Sequence, residues 1–294
     1  MRINKQKLFK WIRRSFVVLI LLFFLLPLLT RLVPSGMDVA ATAQFFKDQH
    51  IPFKDTTIVN NGQAVRWVTA GDATKPMVLF IHGSPGSWDA FKAYLSDSGL
   101  LQKAYLVALD RPGYGGSGSI GLSTLQAQAE AVASGFIFNK DTQKITVVAH
   151  SYGGPIAIKL ALLFPNQIEQ LILIAPTIAP EVEEGIGFKR KAQSMTEWTW
   201  WSWTLGSDMM NSAKEMQPLP NEVRQMQKDF LKLNLPITEI HGTDDPLAPY
   251  ANQAYVMHEM KNAQVDTFML SGKNHFIPFT MPNQMIAIIT SKLK

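Results

Sequence analysis

A serine stands at the end of a short apolar stretch, in Ile145–Gly154 (ITVVAHSYGG). The β-forming residues before it predict a buried strand, and the pattern from Pro155 onward predicts a helix. Ser151 therefore lies at a sharp strand-to-helix turn, where the small residues Ala149 and Gly153 allow close backbone approach. Such a turn exposes a hydroxyl and aims the N–H groups of a helix N-terminus at the atom it attacks. Ser151 is a candidate nucleophile, although an ordinary turn would also fit this stretch alone.

The elements around this turn alternate between apolar strands and helices. A hairpin is predicted at Asn60-Asn61-Gly62, and the further strands are Met77–Ile81, Tyr105–Leu109, Leu171–Ala175, Ile237–His241 and Val265–Leu270. This alternation predicts a mostly parallel sheet with helices on both faces. Active sites of such sheets lie beyond the carboxyl ends of the strands. The loops His82–Ser87 and Asp110–Ser117 should therefore meet Ser151 at one edge.

Three motifs in this order resemble those of the α/β-hydrolase superfamily. They are HGSPGS at 82–87, DRPGYGGSG at 110–118 and AHSYG at 149–153. The last resembles the G-x-S-x-G nucleophile elbow, with Ala149 in place of the first glycine. The resemblance covers roughly Val65 to the C-terminus and points to the branch of epoxide hydrolases, haloalkane dehalogenases, carbon–carbon bond hydrolases and esterases. It implies the α/β-hydrolase fold with a small helical cap.

The resemblance also implies a base and an acid, in the chain order nucleophile, carboxylate, histidine. Asp245 matches the family pattern G-x-x-D after a strand, and its neighbour Asp244 remains a second choice. His275 is the only histidine after the last predicted strand, which is where the family carries its base. The implied roles are that His275 removes the proton of Ser151 and that the carboxylate holds the imidazole in the required tautomer.

The family layout further implies an oxyanion hole in the first loop. Its two donors would be the N–H of Tyr152, directly after the nucleophile, and that of Ser84, because Pro85 has no N–H. We interpret His82 and Arg111 as residues that hold these loops in place. Asp110 is interpreted in the same way, His150 as a packing residue and His241 as the end of a strand.

With these roles the chain is expected to hydrolyse a carboxylic ester of a small or lipophilic substrate through an acyl-enzyme. The serine argues against epoxide hydrolases and dehalogenases, which use aspartate at this position in the family. A carbon–carbon bond hydrolase, a transferase or perhydrolase with the same triad, and a non-catalytic binding module remain open. No metal and no cofactor are expected, and the sequence predicts no oligomeric state.

The 294 residues divide into four parts. Residues 1–35 are interpreted as a basic tail with a transmembrane anchor, and residues 36–55 as a linker. Residues 56–176 and 236–294 form the predicted hydrolase core, and residues 177–235 are interpreted as a helical cap. Four tryptophans lie within 198–203 of the cap. At least two of them are expected to pack it onto the core, and the others to line an apolar pocket or contact a membrane.

The predicted anchor begins with Phe16–Leu29, an uninterrupted apolar run. A helix over residues 16–32 would be about 26 Å long, close to the ~30 Å hydrocarbon core of a bilayer. Six basic residues precede it, which predicts a cytoplasmic N-terminus and a catalytic domain on the extracytoplasmic side, the periplasm in a Gram-negative bacterium. We favour an uncleaved signal anchor in the lipid bilayer over a signal peptide cleaved near Ala41-Thr42-Ala43.

Charge and cysteine content exclude several other classes. The net charge is +5, but seven basic residues precede the first acidic one, and the remainder carries 21 basic and 23 acidic residues. This distribution gives no support for nucleic-acid binding. The chain has no cysteine, which excludes disulfides, thiolate metal sites and a cysteine nucleophile.

Overall fold

The computed structural model describes residues 9–11, 13–18, 25, 28–29, 36–60, 62–139, 144–185 and 205–293. Within these ranges no helix combines the length and apolar character that a membrane crossing requires. Most of the predicted anchor at 16–32 lies outside the described residues. The tryptophan cluster at 198–203 and Asn61 of the predicted hairpin turn also lie outside them.

Eight described strands form one sheet in the order β1-β2-β4-β3-β5-β6-β7-β8. They are β1 Phe53–Asn60, β2 Gln63–Ala70, β3 Met77–Ile81, β4 Tyr105–Asp110, β5 Ile145–His150, β6 Ile168–Ile174, β7 Pro236–Gly242 and β8 Gln264–Leu270. β2 runs antiparallel to β1 and β4, and all other neighbours are parallel. The predicted mostly parallel sheet is therefore present, and the carboxyl ends of β3 to β8 share one edge.

Eleven α-helices lie before, between and after these strands among the described residues of 36–293. They are α1 Val39–Asp48, α2 Lys92–Leu95, α3 Ser98–Lys103, α4 Leu125–Ala133, α5 Gly153–Leu163, α6 Pro180–Gly185, α7 Ser207–Met216, α8 Leu219–Gln227, α9 Ala251–Glu259, α10 Ile277–Thr280 and α11 Pro282–Lys292. Short 3₁₀ helices lie at Trp88–Phe91, Gly115–Ser117, Ser134–Phe138 and Phe230–Lys232. Apolar residues pack against both faces of the sheet, which explains why β3 to β5 are buried along their whole length.

Residues 36–55, interpreted above as a linker, carry α1 and the first residues of β1. α1 packs on the core through Phe46, whose ring stacks on Phe53 at 4.8 Å and on Trp88 at 5.7 Å. The buried Arg66 of β2 adds polar contacts to this segment, donating to the Met37 carbonyl at 2.6 Å and to a threonine of α1. Part of the segment interpreted as a linker is therefore a helix that is docked on the core.

Residues 177–235, interpreted as a cap, contain α6, α7 and α8 among their described part. α8 and the 3₁₀ helix after it are buried with the apolar residues of one sheet face, through Leu219, Val223, Met226 and Phe230. Among the described helices of residues 177–235, α7 reaches the loops at the carboxyl edge of the sheet through its buried residues Asn211 and Glu215.

Candidate active site

Ser151 occupies the strained turn that the sequence predicts. Its φ angle is +54°, a left-handed conformation that a residue with a side chain adopts only when its surroundings impose it. The turn is held by the Ser151 N–H, which donates to the Ile174 carbonyl at 3.0 Å, and by the Gly154 N–H, which donates to the Ser151 carbonyl at 2.9 Å. A Cβ on Gly153 would lie 2.5 Å from the Ile81 carbonyl oxygen, so only glycine fits there.

The structure brings a hydroxyl, an imidazole and a carboxylate together at this turn. The Oγ of Ser151 lies 3.0 Å from Nε2 of His275. The other ring nitrogen of His275, Nδ1, lies 2.7 Å from Oδ2 of Asp245. All three side chains are buried, with 6 to 7% of each residue exposed. This geometry is the one that proton transfer from the hydroxyl to the imidazole requires.

The surroundings of Asp245 fix its orientation and its charge. Oδ1 accepts hydrogen bonds from the N–H groups of Leu247 and Ala248, both at 2.8 Å, which leaves Oδ2 for His275. Burial alone would raise the pKa of Asp245, but the hydrogen bond and charge of His275, with the two N–H groups, outweigh it and lower that pKa. Asp244 is exposed, and its Oδ1 accepts from the Thr243 hydroxyl at 2.9 Å. The structure thus places Asp245, and not Asp244, beside the imidazole.

The two residues expected to supply the oxyanion donors lie close to the serine, one next to it in sequence and one in the loop that packs against it. Tyr152 follows it and its ring is fully buried. Ser84 follows Gly83, on which a Cβ would lie 2.9 Å from the Cβ of Ser151. Neither the Ser84 N–H nor the Tyr152 N–H has an acceptor among the described residues, so both remain available to an external oxygen.

His82 holds the first loop in place, in agreement with its interpretation from the sequence. Its Nδ1 lies 2.7 Å from the Gly83 carbonyl, and its Nε2 accepts from the N–H of Arg111 at 2.9 Å. The ring therefore carries its proton on Nδ1. Burial, followed by the charge of Arg111, holds the pKa of His82 well below its usual value, so the ring stays neutral.

A buried polar pair beneath Asp245 was not predicted. His241, interpreted as the end of a strand, lies with Nδ1 2.7 Å from Oε1 of Glu239, and its Nε2–H donates to the Ala248 carbonyl at 2.7 Å. Burial opposes protonation, but the hydrogen bond and charge of Glu239 raise the pKa of His241. The signal was present in the sequence, because Glu239 and His241 are two residues apart in a buried strand and their side chains therefore face the same side.

His150, interpreted as a packing residue, lies directly against the imidazole of His275. The two ring centroids are 4.8 Å apart, and His150 Nε2 lies 3.1 Å from the His275 carbonyl oxygen. Burial, followed by the charge of His275, lowers the pKa of His150 to about 3. His150 therefore stays neutral in the folded protein at pH values where it is protonated in the unfolded chain.

This difference makes the stability of the protein depend on pH with a defined sign. Below about pH 6.5 the unfolded chain binds a proton at His150, whereas the folded protein binds this proton only below about pH 3. We expect His150→Gln, which preserves the donor to the His275 carbonyl, to reduce the slope of unfolding free energy against pH by about 1.4 kcal/mol per pH unit between about pH 6 and 4. Urea unfolding of both proteins at a series of pH values measures this slope.

The difference between the slopes of the wild type and His150→Gln reports the contribution of His150 alone, because the other titrating groups are the same in both proteins. Burial raises the pKa of Asp110 to about 6, and this carboxylate contributes a slope of opposite sign in both proteins. Parallel curves for the wild type and His150→Gln would contradict the assignment of a depressed pKa to His150.

Comparisons with known proteins agree with this architecture. The chain is 30% identical over 123 residues to epoxide hydrolase 4 of Mus musculus, covering 40% of this chain and 33% of that protein. It is 28% identical over 173 residues to the pimeloyl-[acyl-carrier protein] methyl ester esterase of Nitrosomonas europaea, covering 58% of this chain and 56% of the esterase. The chain thus spans between a third and just over half the length of these curated relatives.

The fold is also similar to that of a membrane phospholipase A described as a bacterial virulence factor. The TM-score is 0.64 at 15% sequence identity, covering 98% of this chain and 97% of the phospholipase. The sequence model of the alpha/beta hydrolase family matches residues 78–288, a span that includes the serine, the carboxylate and the histidine described above. The chain belongs to the alpha/beta hydrolase family.

Proposed function

We propose that the chain is a serine hydrolase that cleaves a carboxylic ester through an acyl-enzyme, with Ser151 as nucleophile, His275 as base and Asp245 as the acid of a triad. The observation that carries the proposal is the pair of contacts at 3.0 Å and 2.7 Å that join the hydroxyl, the imidazole and the carboxylate. In this role His275 takes the proton of Ser151 as the oxygen attacks the ester carbonyl, and then gives it to the leaving alcohol. Water repeats the sequence on the acyl-enzyme and releases the acid.

The N–H groups of Ser84 and Tyr152 would stabilise the negative charge on the carbonyl oxygen in both tetrahedral intermediates. Their support is that Tyr152 follows Ser151, that Gly83 before Ser84 packs against Ser151, and that neither N–H has an acceptor among the described residues. Preorganised donors of this kind typically contribute about 10²- to 10³-fold each to the rate. No metal or cofactor takes part in this proposal.

The serine itself favours ester cleavage over epoxide opening, although an epoxide hydrolase is among the relatives. Attack of a carboxylate on an epoxide gives an ester, which water can cleave. Attack of the Ser151 hydroxyl on an epoxide would give an ether, which the same residues have no means to clear. The esterase relative has a name consistent with the ester reaction. We propose that the substrate is a carboxylic ester of a small or lipophilic, apolar compound.

The acyl-enzyme is tested by how its products partition. We expect several esters that share one acyl group but differ in their alcohol to give a constant ratio of hydroxamate to acid in the presence of hydroxylamine, because all pass through the same Ser151 ester. A ratio that changes with the alcohol would contradict the intermediate. Tight binding of esters without turnover would instead identify a non-catalytic binding module on a hydrolase scaffold.

We also propose that the apolar segment 16–32 anchors the chain in a lipid bilayer, with the catalytic domain on the extracytoplasmic side. The proposal rests on the apolar run and the basic residues before it. Gly36, which follows the segment, lies against the side chain of Ser87, three residues after Ser84. A Cβ built on Gly36 would lie only 2.2 Å from the Ser87 hydroxyl. The N-terminal segment thus joins the domain near the loop His82–Ser87, which carries Ser84.

The topology is tested by labelling the two ends of the chain in intact cells. We expect a C-terminal tag to react with a membrane-impermeant reagent and an N-terminal tag to react only after permeabilisation. A C-terminus that is protected in intact cells would contradict this orientation.

A further inference from the structure

The guanidinium of Arg111 is fully buried and uses all of its N–H groups. Nε–H donates to the His82 carbonyl at 3.1 Å, and Nη2 donates to the Gly83 carbonyl at 2.7 Å. Nη1 donates to the side chain of Gln128 at 2.6 Å. The two remaining N–H groups meet both carboxylate oxygens of Glu215, at 2.8 Å and 2.9 Å. Arg111 therefore links two consecutive carbonyls of the first loop to a carboxylate of cap helix α7.

These contacts orient the peptide that carries one proposed oxyanion donor. The bond between Gly83 and Ser84 is trans, so its carbonyl and its N–H point in opposite directions. Arg111 and the Nδ1–H of His82 both donate to that carbonyl. By holding the carbonyl of this peptide, Arg111 and His82 consequently set the direction in which the Ser84 N–H points.

The same guanidinium contacts the side chain of the residue that would supply the second oxyanion donor. It lies over the ring of Tyr152, 5.0 Å from the centroid, and over the ring of Tyr114 at 4.8 Å. The Tyr152 hydroxyl also donates to the backbone carbonyl of Glu215 at 3.3 Å. Tyr152 therefore contacts the Arg111–Glu215 pair directly, and Ser84 is linked to it through the carbonyl of the preceding Gly83.

Glu215 is as completely satisfied as its partner. Besides Arg111, its Oε1 accepts from the Tyr114 hydroxyl at 2.7 Å, and its Oε2 accepts from the Gln128 amide at 2.6 Å. One turn earlier in α7, the hydroxyl of Ser212 accepts from the hydroxyl of Ser84 at 2.8 Å. α7 thus contacts the first loop directly through Ser212 and indirectly through Glu215 and Arg111, two residues on one helix face, which couples the position of the helix to the position of the loop.

We infer that Glu215 is a positioning residue of the active site: through Arg111 it fixes the Gly83–Ser84 peptide, so that the seating of cap helix α7 sets the direction of the Ser84 N–H. This inference rests on the proposed function, in which that N–H stabilises the oxyanion. A buried carboxylate and guanidinium with every donor and acceptor paired form an arrangement with one orientation, which suits such a role.

The test is Glu215→Gln, which keeps the size and shape of the side chain. It replaces one carboxylate oxygen by an NH₂ group, which cannot accept from Arg111 and faces its N–H donors. We expect kcat for a short-chain p-nitrophenyl ester to fall roughly 10- to 100-fold with little change in KM, because displacement of a donor affects the transition state selectively. The affinity for a trifluoromethyl ketone, which forms a tetrahedral adduct, should fall by a similar factor. A role in stability alone would lower the melting temperature without this parallel loss.

Glu222→Gln is the matched control. Glu222 lies in the neighbouring helix α8, is half-buried and accepts from the Leu125 N–H at 3.1 to 3.2 Å, without contact to the first loop. We expect kcat of this variant to stay within about twofold of the wild type, since nothing it touches belongs to the proposed machinery. Equal kcat in Glu215→Gln and Glu222→Gln would overturn the inference. Should Glu215→Gln fail to fold, Arg111→Lys replaces it, because lysine keeps the charge but cannot reach both carbonyls and the carboxylate.

An activity-independent readout separates this inference from the proposed function. In protein labelled with ¹⁵N-serine, we expect the amide signal of Ser84, assigned by its loss in Ser84→Thr, to shift in Glu215→Gln and to stay in place in Glu222→Gln. A wild type without esterase activity but with this shift would remove the proposed function and keep the positioning role. An active wild type whose Ser84 signal is unmoved in Glu215→Gln would remove the positioning role alone.

Discussion

Ser151→Ala is expected to lower kcat for any ester substrate by roughly 10⁴- to 10⁶-fold. The hydroxyl whose oxygen lies 3.0 Å from Nε2 of His275 is the atom that forms the acyl-enzyme in the proposed mechanism. Without it, only the donors of the oxyanion hole and substrate binding remain, and these support a small residual rate. The measurement is the initial rate of release of a chromogenic alcohol at saturating ester.

Two further variants show that this loss is chemical and not structural. Ser96→Ala changes a partly exposed serine that donates only to a neighbouring carbonyl, and we expect its kcat to be unchanged. Ser151→Gly should be as inactive as Ser151→Ala but more stable by about 1 kcal/mol, since glycine tolerates the φ angle of +54°. Retention of more than a tenth of the wild-type rate in Ser151→Ala would identify another nucleophile.

Asp245→Asn is expected to lower kcat by roughly 10⁴-fold with little change in fold. The N–H groups of Leu247 and Ala248 select the oxygen of the asparagine, so its NH₂ group faces Nδ1 of His275. Donation from that NH₂ forces the imidazole into the tautomer that carries its proton on Nε2. Nε2 then faces Ser151 as a donor and no longer accepts the hydroxyl proton.

Asp244→Asn is the matched control, because it makes the same chemical change one residue earlier in the chain. The Asp244 side chain is exposed and contacts only the Thr243 hydroxyl among the partners described above. We expect its kcat to remain within about twofold of the wild type, as for surface changes away from a site. A larger loss in Asp244→Asn than in Asp245→Asn would reverse the assignment of the acid.

Much of the fold can be predicted from the sequence, because a buried parallel strand is recognisable as a short run of mostly apolar residues. The runs around Met77–Ile81 and Ile145–His150 are short and apolar, and both are strands in the structure. Boundaries were less predictable. The sequence predicts one helix from about Trp88 to Leu95, and the structure has a 3₁₀ turn followed by α2. Ser123, with Gln126 three residues on, predicts the N-cap of α4, but Thr124 caps it by accepting from the Ala127 N–H. Two adjacent hydroxyl residues offer the same cap, and the backbone of the preceding loop chooses between them.

The site was predictable where a residue follows a strand end, and less so where a contact spans the chain. The Ser151, Asp245 and His275 side chains each follow a strand, so topology alone brings them to one edge. Glu215 stands in an amphipathic helix among other charged residues, and nothing in that pattern distinguishes it from a solvated carboxylate. Its partner Arg111 is 104 positions away, and only the packing of α7 on the core reveals the pair.

The most direct test of the central claim is the rate at which a fluorophosphonate modifies the protein, followed by peptide mapping of the adduct. We predict a single adduct on the Ser151 oxygen in the wild type and a rate lowered by roughly 10²- to 10⁴-fold in His275→Gln, because the hydroxyl then has no base. An unmodified Ser151, or modification at the same rate without the imidazole, would contradict the account.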